Sequence, residues 1–184
     1  YSNTSIVGTS VNIGLGEPVS MRSQADGIDW STTATRRTPV ASLPATQGFG
    51  VRWAGFISAC VSQTYTLSIS LHEQNHRSSR VKLWVDNQLI IDQWSSLTYE
   101  QPTGKMPLSA FNYYDISLLY KCPANLSSPE GHTCGHTLGW KSGDDTSSSQ
   151  VPLSALHQGF PMDGKLGQLR VAGGAGCVAT SSAS

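Results

Sequence analysis

The stretch Tyr65-Thr66-Leu67-Ser68-Ile69-Ser70-Leu71 alternates apolar and hydroxyl-bearing side chains at every step. A period of two places the apolar side chains on one face of a β-strand and the polar ones on the other. The same alternation recurs in Phe49–Ile57 and in Val81–Val85, and Asp86-Asn87-Gln88 then leads into the apolar run Leu89–Trp94. A short turn between two such runs predicts a β-hairpin.

Further strands are predicted at Tyr113–Tyr120 and His136–Trp140, and we expect these two to pair with each other. No segment keeps apolar residues at helical spacing through three turns. Short strands separated by loops rich in Ser, Gly and Pro predict an all-β fold, an antiparallel β-sandwich. Four Trp side chains are expected to fill its core: Trp53, Trp84, Trp94 and Trp140.

The charge balance excludes several classes of partner. The 184 residues carry 12 Lys and Arg against 12 Asp and Glu, whereas binding through phosphate neutralisation needs a cationic excess. A nucleic-acid binder is therefore not expected, nor is a polybasic membrane-surface protein. No stretch reaches the roughly 20 apolar residues that span a bilayer. Charged residues are only 13%, while Ser numbers 27 and Thr 15, a polar but weakly charged composition that favours an extracellular protein.

The four cysteines allow two disulfides. Cys122 follows the strand Tyr113–Tyr120 and Cys134 precedes His136–Trp140, so a bridge between them would close one loop if those strands pair. Cys60 and Cys177 then form the second bridge. The alternative is zinc. Its ligands would be Cys122, Cys134, His132 and His136, but the spacing lacks the paired ligands of structural zinc sites, and disulfides are favoured.

Two sequons, at Asn3 and Asn125, predict N-glycosylation acceptors. Together with the even cysteine count and the abundance of Ser and Thr, they predict a secreted or cell-surface location. The opening residues look like the middle of a longer polypeptide.

Motifs for catalysis are missing from the sequence. There is no G-x-S-x-G, no H-E-x-x-H and no glycine-rich phosphate loop before a helix, so an enzyme is not predicted. All five histidines fall in predicted loops or at strand ends, and most are expected on the solvated surface. They are His72, His76, His132, His136 and His157.

Several polar groups could form a ligand site. The loop residues Glu73, Asn75 and His76 could grip a polyol or a cation, or could simply crown a hairpin. Tyr99 is the candidate for stacking on a sugar. The pairs Asp144-Asp145 and Asp26/Asp29 could hold a hard cation, but turn formation is the favoured interpretation of both.

Several segments together resemble one family. They are Asp26–Trp30, Gly48–Ile57 (F-x-V-R-W-x-G-x-I), Val81–Trp94 (L-W-V-D-x-x-L-I-I-D-x-W), Tyr113–Ile116 (Y-Y-D-I), and Leu138–Trp140 with Val151–Leu156. In this order and at these gaps they resemble the protective-antigen-fourteen domain, which occurs in bacterial toxins, adhesins, flocculins and glycosidases. The resemblance implies a β-sandwich with jelly-roll-like topology over residues 1–157. Residues 158–184 would then be a linker or the edge of an immunoglobulin- or filamin-like module.

The resemblance also bears on ligands. Sugar-binding members hold calcium with two adjacent Asp residues before the L-W-V-D strand, and the equivalent stretch here, Leu71–Arg80, has none. No metal ligand is carried across and no cofactor is expected, calcium being unsupported by the motif. Asp86 and Asp92 match family positions, and their expected role is hydrogen bonding in the turn and hairpin.

Three functions follow from the sequence. The favoured one is a non-catalytic structural or interaction module of a larger secreted or surface assembly, whose partners are other protein modules or subunits. The second is a glycan-binding adhesion module. The third is an accessory domain of a glycoside hydrolase whose catalysis lies elsewhere.

Overall fold

The computed structural model describes residues 28–30, 49–72, 79–96, 101–122, 135–143 and 145–158. These residues form ten strands and one 3₁₀ turn, Leu153–Ala155. The strands are β1 (Asp29–Trp30), β2 (Phe49–Ser58), β3 (Gln63–Leu71), β4 (Arg80–Val85), β5 (Gln88–Gln93), β6 (Thr103–Leu108), β7 (Tyr113–Cys122), β8 (His136–Lys141), β9 (Ser149–Gln150) and β10 (Leu156–Gln158). None of the described segments is a helix long and apolar enough to cross a bilayer.

The strands form two five-stranded antiparallel sheets. The front sheet has the order β1-β8-β3-β6, with β9 also paired to β8, and the back sheet has the order β10-β2-β7-β4-β5. Residues from both sheets share one buried cluster, as expected when two sheets stack face to face. The predicted all-β antiparallel sandwich is confirmed.

One predicted strand pairing is wrong. The strand Tyr113–Tyr120 lies within β7, which pairs with β2 and β4 of the back sheet. His136–Trp140 lies within β8, which pairs with β3 and β1 of the front sheet. The physical reason is the connection 123–134, which is longer than the roughly two to five residues of a hairpin loop and joins the two sheets instead.

The predicted hairpin between β4 and β5 is confirmed. Its central residues Asp86 and Asn87 have φ values of 51° and 58°, the left-handed pair that a two-residue type I′ turn requires and that Asp and Asn tolerate best. The backbone N–H of Trp94 donates to Asp92 Oδ1 at 3.0 Å. Both aspartates therefore have the turn and hairpin roles expected from the sequence.

The core follows the alternation seen in the sequence. The inward side chains of three strands from the two sheets are almost fully buried: Tyr65, Leu67 and Ile69 in β3, Val81, Leu83 and Val85 in β4, and Ile116, Leu118 and Tyr120 in β7. Burying one such aliphatic side chain contributes roughly 1.5–3 kcal/mol. Because a slip of one residue would turn all of these outward, the core also holds the strand register.

A histidine expected on the surface lies in the core. His136 is fully buried, its ring centroid is 4.4 Å from that of Tyr120, and its Nε2 accepts a hydrogen bond from Trp53 Nε1 at 2.7 Å. The Tyr120 hydroxyl in turn contacts Ser79 Oγ at 2.9 Å. Since an indole N–H can only donate, His136 must offer a lone pair at Nε2 and is therefore the neutral imidazole protonated at Nδ1.

Burial explains this protonation state. Desolvation, and then the nearby His72, lower the pKa of His136 to about 3, well below its ordinary value of about 6.5. In the unfolded chain the group takes up a proton as the pH falls through that ordinary value, whereas in the folded protein it does not. Its contribution to stability is therefore complete above about pH 6.5 and is lost as the pH falls toward 3.

We predict that the free energy of unfolding falls by about 1.4 kcal/mol per pH unit between pH 6 and pH 4 through this group. Urea unfolding at pH 7, 6 and 5 measures it. The variant His136→Gln, which can still accept from Trp53, should show a flatter pH dependence. Equal slopes in the two proteins would contradict the assignment.

The described cysteines bear on the predicted disulfides. Neither Cys60 nor Cys122 is a free thiol. Cys122 is opposite Phe49 at the start of β2, whereas Cys60 follows Ser58 at its end, so the two are separated by roughly 30 Å at about 3.4 Å per residue. A disulfide needs Cα atoms within about 7 Å. The two therefore cannot bond to each other, while Cys134 and Cys177 lie outside the described residues.

The pairing Cys122–Cys134 was predicted from two strands paired in one sheet, and that premise is wrong. The pairing itself stays a prediction. Tyr120 and His136 face each other across the sandwich, Cys122 follows Tyr120 by two residues, and Cys134 precedes His136 by two.

We predict that intact-mass measurement with alkylation finds no reactive thiol before reduction and four after it. Peptide mapping without reduction should recover Cys122 linked to Cys134 and Cys60 linked to Cys177. Two alkylated thiols in the native protein, or Cys122 linked to Cys177, would contradict the pairing.

At one edge of the sandwich, the close approach of two strands leaves room only for a glycine. Gly104 of β6 lies against Ile90 of β5, where the edges of the two sheets meet. A Cβ atom at Gly104 would overlap both Cγ2 and the carbonyl oxygen of Ile90. The methyl group could move aside, but the carbonyl oxygen belongs to the backbone of a neighbouring strand.

The variant Gly104→Ala should therefore lower the free energy of unfolding by about 1–3 kcal/mol, the usual cost of overpacking. Chemical denaturation measures the change. Gly143→Ala is the control, since a Cβ there meets no atom within 4 Å, and its effect should stay within about 0.5 kcal/mol. Equal effects at the two glycines would rule out the steric explanation.

Candidate binding surface on the back sheet

Most site residues predicted from the sequence lie outside the described residues. These are the loop residues Glu73, Asn75 and His76, the stacking candidate Tyr99, and the sequons Asn3 and Asn125. Their roles stay predictions. Of the Asp144-Asp145 pair, Asp145 is described, and its Oδ2 accepts from the backbone N–H and the Oγ of Ser142 at 2.9 and 2.6 Å. These bonds lower the pKa of Asp145, and the favoured turn role is confirmed for it.

The strands bring the flanks of these segments to one end of the sandwich. β3 ends and β4 begins on either side of residues 73–78, and β7 ends and β8 begins on either side of residues 123–134. Residues 97–100 are followed by Gln101 and Pro102, which hydrogen-bond to the final residues of β3. The described residues that flank the predicted ligand loop, the stacking candidate and the Asn125 sequon thus meet at this end.

The zinc alternative loses support at its one described histidine. Nε2 of His136 is taken by the Trp53 indole, and the ring is buried between the sheets. Within the described ranges, no three His, Cys, Asp or Glu residues are grouped as a metal site would require.

The outer face of the back sheet carries the described side chains best suited to hold a ligand. In β4 the odd-numbered residues point into the core, so Arg80, Lys82 and Trp84 point outward. Across the sheet, Trp84 is opposite Ser117 on one side and Leu89 on the other, in the registers of β7 and β5. Two residues away along the strands is a second row of cross-strand neighbours, which consists of Arg52, Leu119, Lys82 and Asp92. We call the seven residues of these two rows, with Ala54, Arg80, Trp94 and Lys121, the back-sheet surface.

Aromatic side chains form the centre of the back-sheet surface. Trp84, Trp94 and Leu119 pack into a small cluster separate from the main core. Trp84 stays partly exposed, and Leu89 beside it is 47% exposed. The expectation that four Trp residues fill the core is therefore wrong for Trp84. Trp94 is buried, but in this second cluster, while Trp53 and Trp140 pack against the main core as expected.

Charged groups surround this cluster. The Lys82 ammonium is 3.1 Å from Asp92 Oδ2 and 5.9 Å from the centre of the Trp84 ring. The side chain of Lys82 is only 11% exposed, against 44% for Asp92, so the ion pair holds Lys82 across the ring. Arg52 is exposed, and its Nε donates to Ser117 Oγ at 3.4 Å. A ligand stacked on Trp84 would find hydrogen-bond donors and an acceptor at its rim.

The sequence contained the signal for this surface. With Val81, Leu83 and Val85 directed inward, the period of two directs Trp84 outward together with Lys82. The size and apolarity of Trp hid this, because large apolar residues are usually buried. Trp94 comes directly after β5 and packs on Leu119. No local pattern in the sequence indicates this contact.

A further exposed aromatic lies at the end of the sandwich where β7 begins. Phe111 is 70% exposed in the turn between β6 and β7, with φ at 64°, a conformation that bulky residues rarely adopt. Val61 and Leu153 are also more than half exposed. No charged pair accompanies Phe111 among the described ion pairs, which distinguishes this patch from the back-sheet surface.

Comparison with known proteins finds anti-sigma factors among the relatives. The anti-sigma-I factor RsgI3 of Acetivibrio thermocellus is 30% identical over 125 residues, which make up 68% of this chain and 17% of that protein. A solved anti-sigma factor domain-containing protein from Clostridium clariflavum is 32% identical with a TM-score of 0.58, over 73% of this chain and 40% of that one. Another anti-sigma factor domain-containing protein is 27% identical with a TM-score of 0.55, over 73% and 41%.

The chain thus spans less than half the length of each of these relatives. The two solved structures share the overall fold, with TM-scores of 0.58 and 0.55. A model of the PA14 domain, the family that the sequence motifs resemble, matches residues 16–153. The chain therefore belongs to the PA14 domain family.

Proposed function

We propose that this domain is a non-catalytic module that binds an extracellular polysaccharide through the back-sheet surface. The observation that carries the proposal is Trp84, a partly exposed indole on an exposed sheet face with Lys82, Asp92 and Arg52 at its rim. Sugar rings have apolar faces edged by hydroxyl groups. An aromatic ring bordered by charged donors and acceptors complements both parts.

The proposal ranks glycan binding above the structural role that the sequence favoured. Trp84 accounts for this change, because it lies outside the main core and is only partly buried. Hydrolysis of the bound sugar is not proposed, since glycosidases usually need two carboxyl groups flanking the bond, and the described back-sheet surface offers Asp92 alone, already paired with Lys82.

An extracellular location is part of the same proposal. Cys60 and Cys122 are not free thiols, and disulfides persist mainly in oxidising compartments. The relatives are anti-sigma factors. The matched segment makes up 17% of RsgI3 and 40% of the Clostridium clariflavum protein. A module of this kind would supply ligand recognition to such a longer protein, which would carry the response.

A second candidate function is contact with a neighbouring protein module. Exposed Val61, Phe111 and Leu153 near one end of the sandwich favour it, because clustered exposed apolar side chains often mark interfaces. The two candidates use different surfaces, so single substitutions separate them.

We predict that Trp84→Ala lowers the affinity for a bound polysaccharide at least tenfold. Without the indole, the sugar ring has no aromatic surface on which to stack and bury its apolar face. A panel of soluble plant and microbial polysaccharides would be tested by affinity electrophoresis, and calorimetry would quantify any that bind. A tenfold change corresponds to about 1.4 kcal/mol.

Phe111→Ala is the matched control, since it removes an exposed aromatic that lies outside the back-sheet surface and should leave the affinity unchanged. Thermal unfolding checks that both variants remain folded. If Phe111→Ala abolishes binding and Trp84→Ala does not, the site is misplaced. If no polysaccharide binds the unaltered domain, the proposed function is wrong.

A further inference from the structure

Cys60 lies beside two exposed apolar side chains at the end of the sandwich where β7 begins. Val61 directly follows it and is more than half exposed. The backbone N–H of Phe111 donates to the carbonyl oxygen of Ala59, the residue before Cys60, at 2.8 Å. Leu153, also more than half exposed, lies in the 3₁₀ turn directly before β10, beside the same end of β2. We call Val61, Phe111 and Leu153 the end patch.

Cys60 is disulfide-bonded, and Cys134 is too far away to be its partner. Cys60 lies three residues before β3. Cys134 directly precedes Gly135, whose carbonyl oxygen accepts from the backbone N–H of His72 at 2.9 Å, just beyond the other end of β3. The nine residues of β3 span roughly 30 Å. Consecutive Cα atoms are only about 3.8 Å apart, so even extended connections leave the two cysteines farther apart than the roughly 7 Å that a disulfide permits.

Cys177 is then the partner left for Cys60, since the other described cysteine lies at the far end of β2. Closing this bond removes two protons and two electrons from the two thiols, and a disulfide-bearing oxidant in an oxidising compartment accepts them. The chain is long enough. β10 ends at Gln158, still paired with β2, and residues 159–176 could span roughly 60 Å when extended, several times the distance back to Cys60.

The sequence around Cys177 suits the end patch. Residues 171–184 contain no charged side chain. The described residues next to the members of the end patch in the sequence are uncharged as well: Cys60, Ser62, Ala110, Asn112, Pro152 and Ser154. Val178 directly follows Cys177, so a bond to Cys60 would bring its methyl groups within reach of Val61 or Phe111. Because a tether raises the effective concentration of a segment to the millimolar range, modest apolar contacts suffice to hold it.

The conformation of Phe111 also points to a contact. Its φ of 64° is one that bulky residues rarely adopt. The turn is fixed on both sides of the ring, because the backbone N–H of Ala110 donates to Ser62 Oγ at 2.8 Å and that of Asn112 to the carbonyl oxygen of Ser109 at 3.3 Å. Strained residues of this kind persist where the surrounding structure enforces them, and they cluster at functional positions.

We infer that residues 171–184 dock on the end patch, held there by a disulfide between Cys60 and Cys177, so that Val178 packs against Phe111 and Val61. The end patch would then be occupied by this chain and closed to the neighbouring module of the second candidate function. Glycan binding on the back-sheet surface plays no part in this docking.

Nuclear Overhauser spectra of the isotope-labelled, unreduced chain test the docking directly. The Phe111 ring protons or the Val61 methyl groups should show cross-peaks to the methyl groups of Val178. If the end patch shows no contact with residues 159–184, the inference is wrong, and it is equally wrong if Cys60 is recovered linked to another cysteine than Cys177. Neither result involves a polysaccharide, so the proposed function is decided separately.

Trypsin cleavage after Arg170 gives a second measurement, because proteases cut where the chain is accessible. Phe111→Ala should speed this cleavage at least fivefold, and so should Val178→Asp, which leaves the sandwich unaltered. Leu89→Ala is the matched control, since Leu89 is 47% exposed on the back sheet, and its rate should stay within twofold of the unaltered chain. Equal rates in all four proteins would overturn the inference.

Sedimentation velocity separates this docking from occupation by a second copy of the chain. The unaltered chain should be a monomer at all concentrations tested. A dimer that Phe111→Ala converts to a monomer would show that a second copy covers the end patch, and would overturn the inference.

Discussion

Each strand must bury one face and expose the other, and this requirement determines the whole structure. Alternate side chains of β3, β4 and β7 fill the space between two sheets, and a shift by one residue would exchange the two faces. The same requirement determines which side chains are exposed to solvent. Once Leu83 is buried, Lys82 and Trp84 must be outside. The packing that stabilises the sandwich therefore also creates the surface proposed to bind a ligand.

Local pattern in the sequence was sufficient for most of the fold. The strands β2, β3 and β7 and the β4–β5 hairpin follow from period-two runs and a left-handed Asp-Asn turn. Pairing over a long connection did not follow, because β7 and β8 each bury one face whichever sheet they join. The burial of His136 was missed for a related reason. A polar side chain near a predicted strand end looks solvated until a donor such as Trp53 is known to meet it across the sandwich.

The site was harder to predict than the fold. The alternation already directs Trp84 outward, but the usual burial of Trp argued for the core. The grouping of charged side chains on this face depends on strand order, since Arg52 and Lys82 come together only because β7 lies between β2 and β4. The segments with the expected ligand loop and stacking tyrosine lie outside the described residues, although their flanks converge at one end. Family membership indicates the sandwich, whereas function has to be argued from the surface itself.

The central claim is that a ligand lies on the outer face of the back sheet. Chemical-shift mapping of the isotope-labelled domain with short fragments of a polysaccharide that it binds tests it most directly. The account predicts that the largest changes occur at the Trp84 indole N–H and at the backbone amides of Arg52, Leu119 and Lys121. Changes confined to the front sheet, or to residues bordering 73–78 and 123–134, would contradict it.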